Sequence, residues 1–312
     1  MIRRLWSTGF AVGALLLPGA LGMACAQSTA PPPNVAGGGD TPGSFPLGSS
    51  AEEEQGPAAD DVRAFHRHHH IGFIGFAIVS IPTLGLPPGE QAQVEKIRAD
   101  LKTKFQPAHD AEAALLNVVA DGVTAGAIDA AKVDAAVAKI TEVSMQMDDA
   151  TNDDLNQLHG VLSPPERQAL ALKVQAHYMV WERANADPEA QPDQEKEAGH
   201  IEHLGKVLGM SADQIQKVDA AFTASIAALY TSRKFDTKAA ETHLNAFVDG
   251  FPADKFDAKT LTTADPANSS VTSWGAMRMV RMYYAMTPVL TAEQRTKLAA
   301  LLREHATKTE LN

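Results

Sequence analysis

Four short segments share one helix-start pattern and recur in two pairs at nearly equal spacing, which restricts the fold more than any other feature of the chain. Leu290-Thr291-Ala292-Glu293-Gln294 is the clearest, and Met210-Ser211-Ala212-Asp213-Gln214 repeats its form. Leu162-Ser163-Pro164-Pro165-Glu166 carries Glu in place of Gln, and in Leu86-Pro87-Pro88-Gly89-Glu90 Pro87 also replaces the hydroxyl residue. The chemistry is that of a capping box. The Ser or Thr oxygen accepts from the N3 amide, and Gln or Glu at N3 reaches back to the cap amide. Met210, just before its cap, is placed to staple onto Ile215. Leu86 and Leu162 lie 76 positions apart and Met210 and Leu290 lie 80 apart, while the two pairs are offset by 124 and 128. The chain therefore reads as a tandem duplication.

Between the motifs, apolar residues recur at helical spacing. Val94, Ile97, Leu101 and Phe105 continue into Leu115, Leu116 and Val119, which predicts one long helix from residue 89, bent near Pro107. A second helix is predicted from an Asp129 cap through Val137, Ile140 and Leu158, and a third from Pro164 through Leu170, Tyr178 and Trp181. In the second half, helices are predicted over 196 to 208, 212 to 234, 237 to 250, 271 to 288 and 292 to 309. The polar, Pro-containing stretch 187 to 194 divides the halves. No window alternates at period two over a useful length, so the expected class is all-α. The expected organisation is two tandem helical units, over 62–187 and 188–312.

The N-terminus reads as an export signal over residues 1–26. Arg3 and Arg4 precede an apolar core, and Ala24-Cys25-Ala26 forms an A-x-A cleavage pattern before Gln27. The apolar run is short of the roughly 20 residues that a bilayer-spanning helix needs, so no transmembrane segment is expected in the mature chain. Lipidation at Cys25 stays open beside cleavage, because Ala24 supplies the small residue before Cys although Leu21 sits one place too far upstream. Residues 27–61 are rich in Pro, Gly and Ser and nearly without large apolar side chains, the composition of a disordered tether. Cys25 is the one cysteine, so no internal disulfide can form and stability must come from a core. The balance of 27 basic against 38 acidic residues disfavours nucleic acid as a partner.

The four motifs, their pairing within a helical unit and the export signal together resemble the Spy/CpxP family of bacterial envelope proteins. That family has paired L-T-x-x-Q motifs and is related to ZraP- and CnrX-type metal-binding proteins. The resemblance spans residues 62 to 312 and is best from Ile128-Asp129-Ala130-Ala131-Lys132-Val133 into the 162–166 motif. It is looser over Thr262-Thr263-Ala264-Asp265-Pro266-Ala267-Asn268, where the first half reads as continuous helix. It implies a cradle of long-helix hairpins in the periplasm, either a monomeric pseudo-dimer or a homodimer. The implied activity is ATP-independent, chaperone-like binding of unfolded or partly folded envelope proteins, without catalysis. The family's best-known chaperone has a basic concave face, whereas both halves here are net acidic. Apolar contact should therefore dominate client binding.

Two apolar surfaces are candidates for that contact: Ile71, Phe73, Ile74 and Phe76 in the strip 71 to 81, and the helical stripe Met279, Met282 and Met286. Each can equally be core, since apolar residues at helical spacing usually face inward. The alternative function is a periplasmic metal-binding sensor or resistance protein. His66, His68, His69 and His70 form a dense cluster of imidazoles suited to Zn, Cu or Ni. His200 and His203, three apart on a helix face, could supply two further ligands. No cofactor beyond such a metal is expected. No G-x-S-x-G, H-E-x-x-H, P-loop or dinucleotide fingerprint occurs, and the carboxylates are diffuse, so an enzyme is the class with least support.

Overall fold

The structure is a computed structural model that describes residues 72–186, 194–261 and 267–307. Among these residues it is all-helical, with nine α-helices and no strand. They are α1 (Phe73–Ser80), α2 (Pro88–Ala125), α3 (Ala130–Val161), α4 (Pro164–Asn185), α5 (Gln194–Leu208), α6 (Ala212–Ser232), α7 (Thr237–Gly250), α8 (Ala267–Met286) and α9 (Ala292–Thr307). Short 3-10 turns occupy Ile81–Thr83 and Ala258–Thr260. No described helix is long and apolar enough to cross a membrane. The signal region, the tether and the cluster at His66 to His70 lie outside the described residues, as do Ile71 and residues 187–193 and 262–266.

Local chemistry sets most boundaries. Asp129 caps α3 by accepting from the amides of Ala131 and Lys132 at 3.0 and 3.3 Å, and Asp236 caps α7 through Ala239 at 3.0 Å. At the far end of α2, Gly126 adopts φ 83°. Its amide reaches Val123 O and the next amide reaches Gly122 O, the paired bonds of a left-handed C-cap. Gly122 also has to be small there, because a Cβ would stand 2.6 Å from the Ile128 backbone. Gly209 ends α5 in the same way, with φ 68° and bonds to Lys206 O and Gly205 O. Pro107 lies inside α2, which continues as one helix to Ala125 despite the missing donor.

Helices from the two halves interleave. α2 packs against α3 and also against α9, α3 packs against α8, and α8 covers α6 and part of α7. α4 packs against α1 and α7, so the last helix of each half lies on a helix of the other half. The sequence boundary near residue 190 is thus not a boundary in packing, and one continuous apolar core includes Leu115, Leu158, Val218 and Leu298. An aromatic series crosses the halves from Phe73 through Tyr178, Trp181 and Phe235 to Trp274, with centroid separations of 5.4, 5.9, 5.2 and 5.7 Å. At its end the α4 carbonyl of Asn185, which no helical amide can reach, receives Trp274 Nε1 at 2.6 Å and Tyr230 Oη at 2.7 Å.

Candidate functional site

The third and fourth helix-start motifs meet. At the N-termini of α6 and α9, Gln214 Oε1 accepts from the Ser211 amide at 2.9 Å and Gln294 Oε1 accepts from the Thr291 amide at 2.9 Å. The hydroxyls return the bond, Ser211 Oγ accepting from Gln214 N at 3.2 Å and Thr291 Oγ1 from Gln294 N at 3.3 Å. Each glutamine then uses its amide nitrogen on the other motif. Gln214 Nε2 donates to Gln294 Oε1 at 2.8 Å and to Val289 O at 3.0 Å. Gln294 Nε2 donates to Gln214 Oε1 at 3.2 Å and to Gly209 O at 3.1 Å. Val289 and Gly209 each stand two residues before their own cap, so the junction is internally two-fold. Lys297 Nζ adds a bond to Val207 O at the C-terminal end of α5, where a cation complements the helix dipole.

The first half carries acids, Glu90 and Glu166, at the two positions that hold Gln214 and Gln294 in the second. Ser163 donates both its amide, at 2.8 Å, and its hydroxyl, at 2.6 Å, to Glu166 Oε2. Glu90 Oε2 is buried near the start of α2 without a hydrogen-bond partner. Partial burial and the negative charge of Glu166 raise Glu90 above the ordinary carboxylate range. The bond from the Ser163 hydroxyl, with help from its amide, holds Glu166 below that range. Leu86 to Glu90 reads in the sequence as a degenerate motif, and nothing local to it marks Glu90 as a perturbed carboxyl. The available signal was that Glu occupies both Gln positions of one half. Gly85, with φ 66°, precedes this motif as Gly209 precedes the third.

Beside the second motif, the buried Arg167 donates through Nη1 to Ala253 O at 2.8 Å. His159 Nε2 also lies 2.8 Å from Ala253 O and contacts the same guanidinium, and its ring stacks near Phe256. This ties the α3–α4 turn to the connector after α7.

Phe73, Ile74 and Phe76 are core residues, which corrects their assignment as client surface. They lie on α1, seven of whose eight residues are buried, and Phe73 stacks on Tyr178 while Phe76 stacks on His177. An apolar segment without a polar face gains more from burial on every side than from lying on the surface. Met279, Met282 and Met286 on α8 are buried as well, and are likewise packing rather than an exposed soft-ligand face. His200 and His203 lie partly exposed on α5, and among the described residues no group of three or more His, Cys, Asp or Glu side chains converges. Leu162 and Leu290 are buried, while Met210 and Ile215 are partly buried against the core.

A small cavity lies between α1, α3, α4 and α7, lined by Phe73, Asp148, Asn152, Val174, His243 and Phe247 among others. Asp148 Oδ1 accepts from Asn268 Nδ2 at 2.8 Å. Burial outweighs that bond and pushes the Asp148 carboxyl up to about 7. Asn152 Oδ1 is buried there without a hydrogen-bond partner.

No protein-family model, curated protein or solved structure matches this chain.

Proposed function

We propose that the chain is an exported, non-catalytic protein of the bacterial envelope that holds partly unfolded polypeptides by weak apolar contact, without ATP. The reading includes a Spy/CpxP-like tandem duplication in which two long-helix units form an intramolecular pseudo-dimer. The observation that carries it is the reciprocal junction of Gln214 and Gln294, which gives the L-T-x-x-Q sequence pattern a paired structural role. Element order supports the duplication. α2, α3 and α4 correspond to α6 with α7, α8 and α9, the long α2 being matched by two helices broken near Lys234. The reciprocal packing of α9 on α2 and α4 on α7 supports the pseudo-dimer. Large apolar side chains that do reach the surface are Leu172, Met179 and Val180 on α4 and Met145 on α3. They form shallow, spread contacts rather than a pocket.

The test is suppression of aggregation of chemically denatured model clients at stoichiometric ratios without ATP. The parent protein should suppress it, and a Leu172→Ser, Met179→Ser variant should do so less while keeping its unfolding midpoint. Absence of suppression with several unrelated clients removes the reading.

Zinc, copper or nickel binding is the second reading, favoured by the sequence cluster at His66 to His70. Titration of each metal into the parent and into a variant with those four histidines changed to Ala separates the two. Equal binding in both, or none, removes the cluster as a site.

A further inference from the structure

We propose that residues 251–261, the connector after α7, form a strap that gates a binding site for a small neutral aromatic molecule carrying one N–H or O–H donor, such as indole or a phenol. The site is the cavity between α1, α3, α4 and α7, and Leu261 is its gate. The inference goes beyond the client-holding reading and does not rest on it.

Two hollows meet at Leu261. The inner one is the cavity, walled by Phe73, Leu155, Val174 and Phe247 with Asn152 on its polar side. Its volume of about 30 Å³ admits a water but no organic ring. The outer one, about 320 Å³, lies between the end of α7 and the strap and opens to solvent. Leu261 lines both. Moving that one side chain joins them into a space of the size that organic ligands occupy, about 300 Å³ or more. The strap is built for such a movement. Apart from the 3-10 turn at Ala258–Thr260 it has no regular structure, and most residues between the buried Phe251 and Ala258 are exposed. Its first end is clamped by Arg167, whose Nη1 donates to Ala253 O at 2.8 Å. The end that carries Leu261 is tethered by Asn156 of α3. Asn156 Oδ1 accepts from the Ala258 amide at 2.8 Å, and its Nδ2 approaches Asp257 Oδ1 at 3.4 Å. Such bonds near the surface exchange with water at a modest net cost.

The walls select the ligand. Asn152 is only 3% exposed, yet its Oδ1 has no hydrogen-bond partner. A buried acceptor left unpaired carries a desolvation cost, which a donor on a ligand removes. Phe73 and Phe247 flank the site, and their faces and edges favour an aromatic ring over a polar group. Asp148 stands one turn before Asn152 on α3 and lines the same cavity, its Oδ1 engaged by Asn268 Nδ2. A carboxyl beside the acceptor disfavours an anionic ring such as benzoate. A neutral ring with one donor satisfies the apolar walls, the unfilled acceptor and the adjacent acid together. Free indole and the side chain of a tryptophan in a polypeptide share this chemistry.

Calorimetric titration of the full chain with indole, toluene and benzoate tests this. Indole should bind about fivefold more tightly than toluene, the margin of one hydrogen bond, and benzoate should not bind. Asn152→Leu, which keeps the shape and removes the acceptor, should abolish the preference for indole. Asn156→Ala releases the strap and should tighten indole binding by about two- to tenfold, because the closed form has no room for a ring and the open form becomes more populated. Leu261→Ala should tighten it too, by removing the gate itself. N-acetyltryptophanamide separates the two sources: binding beside indole's assigns a polypeptide side chain, binding of indole alone assigns a free molecule, and either result supports the site. Absence of indole binding at millimolar concentration in both the parent and Asn156→Ala overturns the proposal. So does an Asn152→Leu variant that still prefers indole, or an affinity that fails to rise in Asn156→Ala and Leu261→Ala. If Asn152→Leu does not fold, the affinities of the two strap variants decide alone.

Discussion

Gln214 and Gln294 complete one another's helix caps: the oxygen of each serves its own motif and the nitrogen of each serves the other, across 2.8 and 3.2 Å. Removing one side chain strands the partner's amide in a site where Gln294 is about nine-tenths buried. Gln214→Ala and Gln294→Ala should each cost about 1 to 3 kcal/mol. The double variant should cost less than the sum, with a coupling of about 0.5 to 3 kcal/mol. Urea unfolding of the four proteins measures it, and strict additivity would deny that the two motifs act as one unit.

The hydroxyls make a smaller, separable contribution. Ser211→Ala and Thr291→Ala each remove one acceptor from an N3 amide, at a cost of about 0.5 to 2 kcal/mol. Asp129→Ala, which removes an acceptor from two amides at the start of α3, belongs to the same range. Unfolding midpoints unchanged in all three would overturn the capping role.

Helix positions were legible because their signals are local. Asp129, Ser163, Ser211, Asp236 and Thr291 are oxygen-bearing caps in front of periodic apolar runs, and the structure starts helices at the next residue in each case. Pairings were not legible, since α4 against α7 and α9 against α2 depend on which apolar stripes fit one another across the chain midpoint. The strip at Phe73 and the methionines of α8 were ambiguous for a related reason: an apolar run reads alike whether it is core or contact surface. Asp148 was one carboxylate among 38 acidic residues, and its burial arises from α1 and α7, far from it in sequence.

Because Phe73 and Phe76 are core, replacing them should act on the fold before it acts on any client. Phe73 is in ring contact with Phe76, Tyr178 and His243. Phe73→Ala and Phe76→Ala should each destabilise by about 3 to 5 kcal/mol, the range for emptying a buried aromatic site. A surface binding strip would instead lose client affinity at an unchanged midpoint, so thermal unfolding run beside the aggregation assay separates the two roles.

Asp148 should make stability fall with rising pH, and the sign follows from where it releases its proton. In the unfolded chain the carboxyl ionises near its ordinary 3.8, whereas in the folded chain burial delays ionisation to about 7. Between these values the folded state holds a proton that the unfolded state has lost, so folding takes one up and stability declines with pH. The decline is at most about 1.4 kcal/mol per pH unit, and it ends once pH passes the folded value. Below about 4 the contribution is fully present. Asp148→Asn keeps an oxygen for Asn268 Nδ2 and removes the titration. The difference in unfolding free energy between variant and parent should therefore be small at pH 4 and grow in the variant's favour up to about pH 7, staying level beyond. Taking the difference cancels the other titrating groups, which are common to both proteins. A difference that does not change across this window would mean that Asp148 is already ionised and solvated in the folded chain.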